Sequence, residues 1–409
     1  MKPLRLLALA LPLAVACSKE PVGPAPRITA LPRALTTHEQ QLIQADNRFA
    51  IKLLKEANAE TRDTLLNLFV SPLSAAMALA MTYNGAAGTT AMAMDTTLEL
   101  DGMPVGDVNA SNQSLIALLR GLDPHVNFQI ANSIWYRQGL AVEQPFIDAN
   151  RTYFDAQVEG LDFTAATAAP TINAWVDQQT HGLIKQIVAD PVPGDVLMYL
   201  MNAIYFKGDW TRQFDKTLTE QRPFHLENGS TVSVPTMTYG AEAPIRHASI
   251  PLGTVIDLPY GGEAFSMTIV LPRDTVGVDA VLAGMTLDAW NAWTAALDTI
   301  RTGLYMPKFK LENNLTLKPT LAALGMGVAF SDVADFSGIH QGGGLLITDV
   351  KHRTYVDVNE AGTTAAAVTA VVVGPTSVPP TVRVDRPFVF ALRENLSGTI
   401  LFMGVIRHP

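Results

Sequence analysis

The chain has 409 residues, 48% of them apolar, and carries a formal net charge of −9 with a single cysteine. Its length and apolar content are ample for a large buried core. Because the chain is acidic and contains no block of lysine or arginine, we exclude nucleic acids and heparin-type polyanions as expected partners. A single cysteine also excludes an intramolecular disulfide.

Residues 1–16 have the features of a secretory signal peptide. Lys2 and Arg5 precede an apolar run that is too short to span a membrane as a helix. Cys17 follows directly and resembles the lipidated cysteine of a bacterial lipoprotein, with an ordinary secretion signal as the alternative. Residues 17–35 then continue as a proline-rich tether without a fold. We therefore expect an exported cell-envelope lipoprotein, held to the outer membrane or cell surface by its lipid, or alternatively a secreted protein.

Two helices are predicted near the start of the folded region. Residues 36–60 carry apolar side chains at helical spacing, and a capping box begins at Thr36 or at Thr37. Ser71-Pro72 has the cap and first-turn proline of a second helix, which ends at Asn84-Gly85. Since this second helix is apolar nearly all round, we expect it to be buried.

Later segments predict strands with two further helices. The apolar run over residues 196–206, interrupted only by Asn202, predicts a central strand covered on both faces. Residues 254–272 predict a hairpin that turns near Tyr260-Gly261-Gly262. No linker or repeat divides the sequence, so we expect one α+β domain over residues 36–409. The other predicted elements are helices over 278–300 and 318–327, and strands over 352–358, 387–393 and 399–406.

The sequence contains no recognisable catalytic or metal-binding pattern. Its eight histidines show no metal-ligand spacing, and the H-E-x-x-H, C-x-x-C, G-x-S-x-G and phosphate-loop motifs do not occur. Gly342, Gly343 and Gly344 precede a strand rather than a helix, so this cluster does not form a phosphate cradle. We therefore predict no catalytic residue, no cofactor and no metal, and we predict that the protein is not an enzyme.

Residues 359–382, NEAGTTAAAVTAVVVGPTSVPPTV, form the most unusual segment. After Glu360 no charge occurs until Arg383, and the stretch 363–373 also lacks proline and glycine. A central strand tolerates neither proline nor unpaired charge, so this stretch has the composition of a strand that could enter a sheet. Gly362 would permit the backbone turn at the point of entry. One face of such a strand would carry Thr363, Ala365, Ala367, Thr369, Val371 and Val373.

Two other interpretations of this segment agree less well with its composition. Only about ten of its residues are continuously apolar, whereas a membrane span needs roughly twenty. A plain exposed strand of this composition would be prone to aggregation.

With its flanks, the segment resembles the C-terminal signature of the serpins, the suicide inhibitors of serine and some cysteine proteases. The resemblance implies a serpin-like single α+β domain with a large central mixed β-sheet, further sheets and about eight or nine helices. It also implies a reactive loop at about residues 361–382. The segments that carry the resemblance are NLFVSPLSAAMALAMTYNGAAGTT (67–90), NAIYFKGDWTRQF (202–214), KHRTYVDVNEAGTTAAAVTA (351–370) and RPFVFALRENLSGTILFMGVI (386–406).

The same resemblance implies roles for individual residues. Trp210 matches a tryptophan near the top of the main sheet, and Arg386 departs from the histidine that the family often has there. Taken singly, each residue of the sheet-opening cluster could equally be an ordinary core residue with satisfied hydrogen bonds. The implied proximal hinge comprises Glu360, Gly362, Thr363, Ala365, Ala366 and Ala367, and the implied sheet-opening cluster comprises Ser71, Ser74, Asn202 and His352.

The position of the scissile bond also follows from the resemblance. In inhibitory serpins this bond lies at a nearly fixed distance from the hinge glutamate, and that distance leads from Glu360 to Thr376, with Ser377 after the cut. The bait residues would be Val373, Gly374 and Pro375, and cleavage after Val373 is the second choice. A small β-branched residue preceded by proline suits an elastase-like or subtilisin-like serine protease.

We therefore expect an inhibitor that forms a covalent acyl complex with a serine protease, or alternatively with a cysteine protease, and then inserts its loop. Such a protein is metastable in its native state, and we expect a monomer. The alternative function is that of a non-inhibitory serpin, acting as a surface binding or carrier lipoprotein. Hinges of that second kind often contain charged, bulky or proline residues, which this one lacks.

Overall fold

The computed structural model describes residues 26–363 and 381–409. Within these ranges the helices are α1 (Thr37–Thr61), α2 (Pro72–Tyr83), α3 (Gly88–Thr97), α4 (Val105–Arg120), α5 (Gln144–Phe154), α6 (Ala168–Gln179), α7 (Val278–Gly284), α8 (Leu287–Ala295) and α9 (Lys318–Leu321). The strands are β1 (Asn67–Val70), β2 (Val126–Arg137), β3 (Ala156–Leu161), β4 (Met198–Asp209), β5 (Glu220–His225), β6 (Thr231–Thr238), β7 (Ala243–Ile250), β8 (Gly253–Tyr260), β9 (Phe265–Pro272), β10 (Asp298–Pro307), β11 (Phe309–Thr316), β12 (Lys351–Val358), β13 (Gly362–Thr363), β14 (Thr381–Arg383), β15 (Phe388–Glu394) and β16 (Ile400–Ile406).

The strands form two sheets, which confirms the predicted α+β class. The six-stranded sheet has the order β11-β12-β13-β4-β2-β3 and is mixed, because β2 and β3 run parallel while the other neighbours are antiparallel. The ten-stranded sheet has the order β1-β16-β15-β9-β8-β7-β10-β6-β5, with β14 added to β10. The nine α-helices of the described ranges agree with the eight or nine that the resemblance implied.

The first two helices begin where the capping signals predict. At α1 the backbone N–H of Glu39 donates to Thr36 Oγ1, and the backbone N–H of Thr36 donates to Glu39 Oε2, so the capping box begins at Thr36. At α2 the hydroxyl of Ser71 accepts from the backbone N–H of Ser74, with Pro72 in the first turn. Helix α2 is buried along almost its whole length and contacts both β4 and β16.

The single helix predicted over residues 278–300 is wrong. The structure has two short helices there, because α7 ends at Gly284 and Thr286 caps α8 by accepting from the backbone N–H of Ala289. Residues from Asp298 onward belong to β10, which pairs with β7 in the ten-stranded sheet. Long-range strand pairing therefore overrides the local helical pattern at this point. None of the helices in residues 26–363 and 381–409 is long and apolar enough to cross a membrane.

Candidate functional site in the six-stranded sheet

The six-stranded sheet contains a gap between β4 and β12. Among the residues that the structure describes, these two strands are joined at one end, which we call the upper end, by the two residues of β13. There Gly362 lies opposite Asp209, and Thr363 lies between Gly208 and Val358. Below β13 lies a cavity of about 710 Å³, lined along both strands by residues 196–206 and 349–356. The gap is therefore bordered by two strands, and the chain already enters it at the upper end.

Thr363 is buried at the entrance of the gap. Its side chain is only 2% exposed, and its Oγ1 lies 2.8 Å from the hydroxyl of Tyr260. Burial raises the pKa of Tyr260 well above its ordinary value, so the phenol keeps its proton and can donate it in this hydrogen bond. Tyr260, the last residue of β8, thus supplies a polar contact that holds the side chain of Thr363.

Gly362 occupies a position that only glycine fits. Its φ is +155°, and a Cβ added to it would lie 2.1 Å from the carbonyl oxygen of Gly208 on β4. Any larger residue would have to push the backbone of β4 away. The predicted role of Gly362 as the turning point of the hinge therefore has a steric reason in the structure.

Glu360 forms a buried ion pair just before the gap. The residue is 4% exposed, and its two carboxylate oxygens accept from Lys308 Nζ at 2.9 and 3.0 Å. One of these oxygens also accepts from the hydroxyl of Thr219 at 2.7 Å. Burial alone would raise the pKa of Glu360, but the hydrogen bonds from Thr219 and Lys308 outweigh it and lower the pKa. Glu360 is therefore ionised at neutral pH and fixes the start of the hinge.

Trp210 holds the backbone of the hinge from the other side. Its indole N–H donates to the carbonyl oxygen of Asn359, and its backbone N–H donates to that of Ala361, both at 2.9 Å. The indole also stacks on Tyr260, with ring centroids 4.3 Å apart and planes inclined by 12°. Sequence reasoning identified Trp210 but missed Tyr260, Thr219 and Lys308. The only signal for Lys308 in the sequence was the lone carboxylate of Glu360, which lies beside an uncharged stretch. A buried carboxylate needs a cation as its partner.

Two of the four predicted residues of the sheet-opening cluster meet at the start of α2. The backbone N–H of Ser71 donates to His352 Nε2 at 2.9 Å, and the hydroxyl of Ser71 donates to the carbonyl oxygen of Leu401 at 2.9 Å. Burial lowers the pKa of His352 to about 4, so the imidazole is neutral at physiological pH and its Nε2 is free to accept. These contacts connect α2 with β12 and β16.

The other two residues connect α2 with β4. The hydroxyl of Ser74 donates to the carbonyl oxygen of Asn202 at 3.2 Å, and the amide of Asn202 donates to Asn132 Oδ1 on β2 at 2.7 Å. Within residues 26–363 and 381–409 the buried side-chain oxygen of Asn202 has no hydrogen-bond partner, and Asn202 lines the cavity. The structure therefore brings all four predicted residues to the wall of the cavity below β13. Asn202 Oδ1 is a hydrogen-bond acceptor there.

Some predicted residues cannot be placed in the site. Cys17 and the segment with Ala365, Ala366, Ala367, Val373, Gly374, Pro375, Thr376 and Ser377 lie outside the described residues. Their roles stay predictions.

Arg386, the residue that departs from the family pattern, has a full set of partners. Its Nε donates to the carbonyl oxygen of Pro272 at 2.8 Å, and its terminal nitrogens lie 2.7 Å from Asp385 and 3.1 Å from Asp274. The arginine thus makes its own hydrogen bonds and ion pairs at the position where the family often has histidine.

Comparison with known proteins gives a consistent result. The sequence model of the family described as "Serpin (serine protease inhibitor)" matches residues 44–409. The leukocyte elastase inhibitor of Bos taurus is 34% identical over 384 residues, which cover 90% of this chain and all of the relative. The crystal structure of tengpin, a thermophilic serpin, matches with a TM-score of 0.82 and 28% identity, over 94% of this chain and 97% of tengpin. Human thyroxine-binding globulin complexed with thyroxine matches with a TM-score of 0.82 and 28% identity, over 91% of this chain and all of that one.

The prediction that the chain is not an enzyme is corrected by these comparisons. The matching family is described by its action on serine proteases, and the bovine relative is named as an inhibitor of one enzyme, leukocyte elastase. The unqualified prediction that the chain is not an enzyme was therefore wrong. The comparisons group the chain with protease inhibitors. Whether such inhibitors count as enzymes is a borderline question, because they are not catalysts in the usual sense.

Proposed function

The chain belongs to the serpin family, and from that premise we propose that it traps a serine protease by inserting residues 363–373 into the gap between β4 and β12. The observation that carries the proposal is the position of Gly362 and Thr363, which already form the first two residues of a strand in that gap. Fold similarity alone does not decide between inhibition and transport, because the fold is shared with a thyroxine-bound globulin. The uncharged, proline-free stretch 363–373 favours inhibition.

The proposed mechanism begins with an ordinary protease reaction. The serine hydroxyl of the protease attacks the carbonyl carbon of Thr376, the peptide bond to Ser377 breaks, and the amine of Ser377 leaves with a proton. Thr376 is then held as an ester on the protease. Because the loop is now free at one end, residues 363–373 can extend β13 down the gap before water hydrolyses the ester.

The walls of the gap are suited to receive that strand. A new strand offers backbone N–H and C=O groups to the facing edges of β4 and β12, which below β13 pair with no strand of the described ranges. Each net hydrogen bond contributes about 1 kcal/mol. Asn202 Oδ1, buried and without a partner, is a further acceptor at this depth. Small residues at the start of the stretch offer the least steric obstruction to entry, and β-branched residues follow where strand propensity favours completion.

We expect a complex with an elastase-like or subtilisin-like protease that survives denaturing electrophoresis, with cleavage between Thr376 and Ser377. The support is the Pro375-Thr376 pair, together with the name of the bovine relative. Mass spectrometry should find Ser377 as the first residue of the released C-terminal peptide. As a matched control, Thr376→Arg should weaken this complex and create one with a trypsin-like protease. Cleavage of the wild type by a broad protease panel without any stable complex would contradict the proposal.

The proposal extends to location. An apolar leader followed directly by Cys17 supports lipidation of that cysteine and attachment to the cell envelope. We expect the wild type to sediment with membranes after export and a Cys17→Ser variant to remain in the soluble fraction. A wild-type protein that is fully soluble after export would show that the leader is an ordinary secretion signal.

A further inference from the structure

The turn between β5 and β6 contains a chemically reactive pair, Asn228-Gly229. The turn lies at the margin of the ten-stranded sheet, since β5 is the last strand in the order of the described strands. Asn228, Gly229 and Ser230 are all exposed. An asparagine before a glycine can cyclise, because the backbone nitrogen of glycine is not shielded by a side chain and can attack the side-chain carbonyl carbon of the asparagine. The turn therefore has the composition of a deamidation site.

The side chain of Asn228 is held in a form that favours this attack. Its Oδ1 accepts from the hydroxyl of Ser230 at 2.7 Å and from the backbone N–H of Ser230 at 2.9 Å. Two donors on one carbonyl oxygen withdraw electron density from the carbonyl carbon. They also stabilise the negative charge that develops on the oxygen when a nucleophile adds, as the donors of an oxyanion hole do.

Gly229 is placed to act as the nucleophile. Its φ is +81°, and a Cβ added to it would have no heavy atom of the described residues within 4 Å, so the backbone has room to rotate. The N–H of Gly229 donates to the carbonyl oxygen of Leu226 at 3.0 Å. Because the turn is exposed, this hydrogen bond is exchanged for one to water whenever the turn frays, and the nitrogen is then available.

The sequence has Asn-Gly at one other place, Asn84-Gly85, and there the structure opposes the reaction. Asn84 Oδ1 accepts from the amide of the buried Asn109 at 2.7 Å. The backbone of Gly85 is closely packed, because a Cβ added to it would lie 2.1 Å from Ile339 Cγ1. Its N–H donates to the carbonyl oxygen of Thr82 at 3.0 Å, at the end of α2. Cyclisation at this pair therefore requires the end of a buried helix to open first.

From this contrast we propose that Asn228 is a modification site, at which the chain converts spontaneously to aspartate and isoaspartate. The nitrogen of Gly229 bonds to Asn228 Cγ, the bond from Cγ to Nδ2 breaks, and Nδ2 leaves as ammonia with the proton of the Gly229 N–H. Water then opens the cyclic imide. Cleavage at Cγ gives aspartate, and cleavage at the main-chain carbonyl carbon gives isoaspartate. The reaction needs only water and does not depend on the proposed function.

The modification changes both the charge and the shape of the hairpin end. Glu227 Oε2 lies 3.2 Å from Arg407 Nε, so a carboxylate at the next position adds a second negative charge beside an existing ion pair. In isoaspartate the main chain passes through the former side chain and is one carbon longer, which breaks the hydrogen bonds that close the turn. The pairing of His225 with Thr231, which is the first beyond the turn, should loosen as a result.

The test incubates the full-length chain in mildly alkaline buffer and follows it by isoelectric focusing and by peptide mapping with mass spectrometry. A more acidic form should appear, and its modified residue should be Asn228. Conversion at Asn228 should be at least about tenfold faster than at Asn84, because Asn84 reacts only in the fraction of molecules whose helix end is open. Hydrogen exchange of the isoaspartate form should be faster at residues 225–231 and unchanged in the buried strands.

Two variants separate the contributions within the turn. Asn228→Gln is the matched control, because it keeps the amide but places the carbonyl carbon one bond further from the backbone nitrogen, and it should abolish the acidic form. Ser230→Ala removes the hydroxyl donor and keeps the backbone donor, so it should slow conversion. Equal conversion at Asn84 and Asn228, or an acidic form that persists in Asn228→Gln, would overturn the proposal. An unchanged rate in Ser230→Ala would overturn the role of that hydroxyl.

Discussion

A Thr363→Arg variant is expected to lose complex formation with the target protease completely. Thr363 is 2% exposed and lies between β4 and β12, so an arginine there would place a charge in a closed position without a carboxylate partner. Burying an unpaired charge costs several kcal/mol, which exceeds what the first residues of an inserting strand can gain. The protease should therefore cleave the loop of this variant and leave, as it would with an ordinary substrate.

Calorimetry provides the physical measurement. In the wild type, cleavage at Thr376 should raise the melting temperature strongly, because the six-stranded sheet gains a complete strand. In Thr363→Arg most of that increase should disappear. Thr363→Val is the matched control, because it keeps the shape of the side chain and removes only the hydrogen bond with Tyr260. It should lose roughly 1–3 kcal/mol of native stability, since the tyrosine hydroxyl is left unpaired, but it should still insert. Retention of the full increase by the arginine variant would show that a charge at position 363 does not prevent the rest of the stretch from entering the sheet.

A Glu360→Lys variant is expected to destabilise the intact protein more than any other change of charge in the site. The substitution removes the hydrogen bonds from Lys308 and Thr219 and places a second ammonium group beside Lys308. Loss of one partner of a buried ion pair lowers the free energy of unfolding by about 3–5 kcal/mol. We expect a value near the lower limit, about 3 kcal/mol, because the side chain of Lys308 is 32% exposed. The upper end of the gap should open as a result, and spontaneous loop insertion should become faster.

Urea denaturation of the intact form measures this effect as a lower midpoint. The charge-exchanged double variant, Glu360→Lys with Lys308→Glu, should recover part of the loss because it restores the pair. Glu360→Gln is the milder control, since it removes the charge and keeps the shape. A midpoint of Glu360→Lys equal to that of the wild type would show that the pair contributes nothing to the native state.

The same pair predicts a dependence on pH. The pKa of Glu360 is lower in the folded protein than its ordinary value of 4.5, so its contribution to stability is fully present above that pH. The contribution is lost as the pH falls through the folded pKa, because the carboxylate is then protonated in both states. The difference in stability between the wild type and Glu360→Gln should therefore be constant near neutrality and shrink under acid conditions. A difference that grows on acidification would contradict this assignment.

The sequence by itself determined the features that depend on neighbouring residues. The caps at Thr36 and Ser71 could be predicted because a cap involves residues only three positions apart. The α+β class followed from apolar periodicity and from apolar or β-branched runs. The same signals predicted six of the sixteen strands in the described ranges, namely β4, β8, β9, β12, β15 and β16. The hinge stays a prediction that the resemblance implies, and the absence of proline and charge from residues 363–373 agrees with it, because a stretch that enters a sheet must lack both.

Only the tertiary structure decided which residues support that hinge. Thr219 and Tyr260 are 141 and 103 residues away in the chain from the side chains they contact, Glu360 and Thr363. No local pattern in a single sequence specifies such pairs, because they arise where distant strands and turns come together. The early end of the helical region predicted over 278–300 has the same origin, since residues from Asp298 onward pair with β7 as part of β10. The packing of residues 26–35 is a further case, because a proline-rich segment carries no periodic signal, and its contacts with the turn at Gly262 and with the apolar core are made by residues distant in the chain.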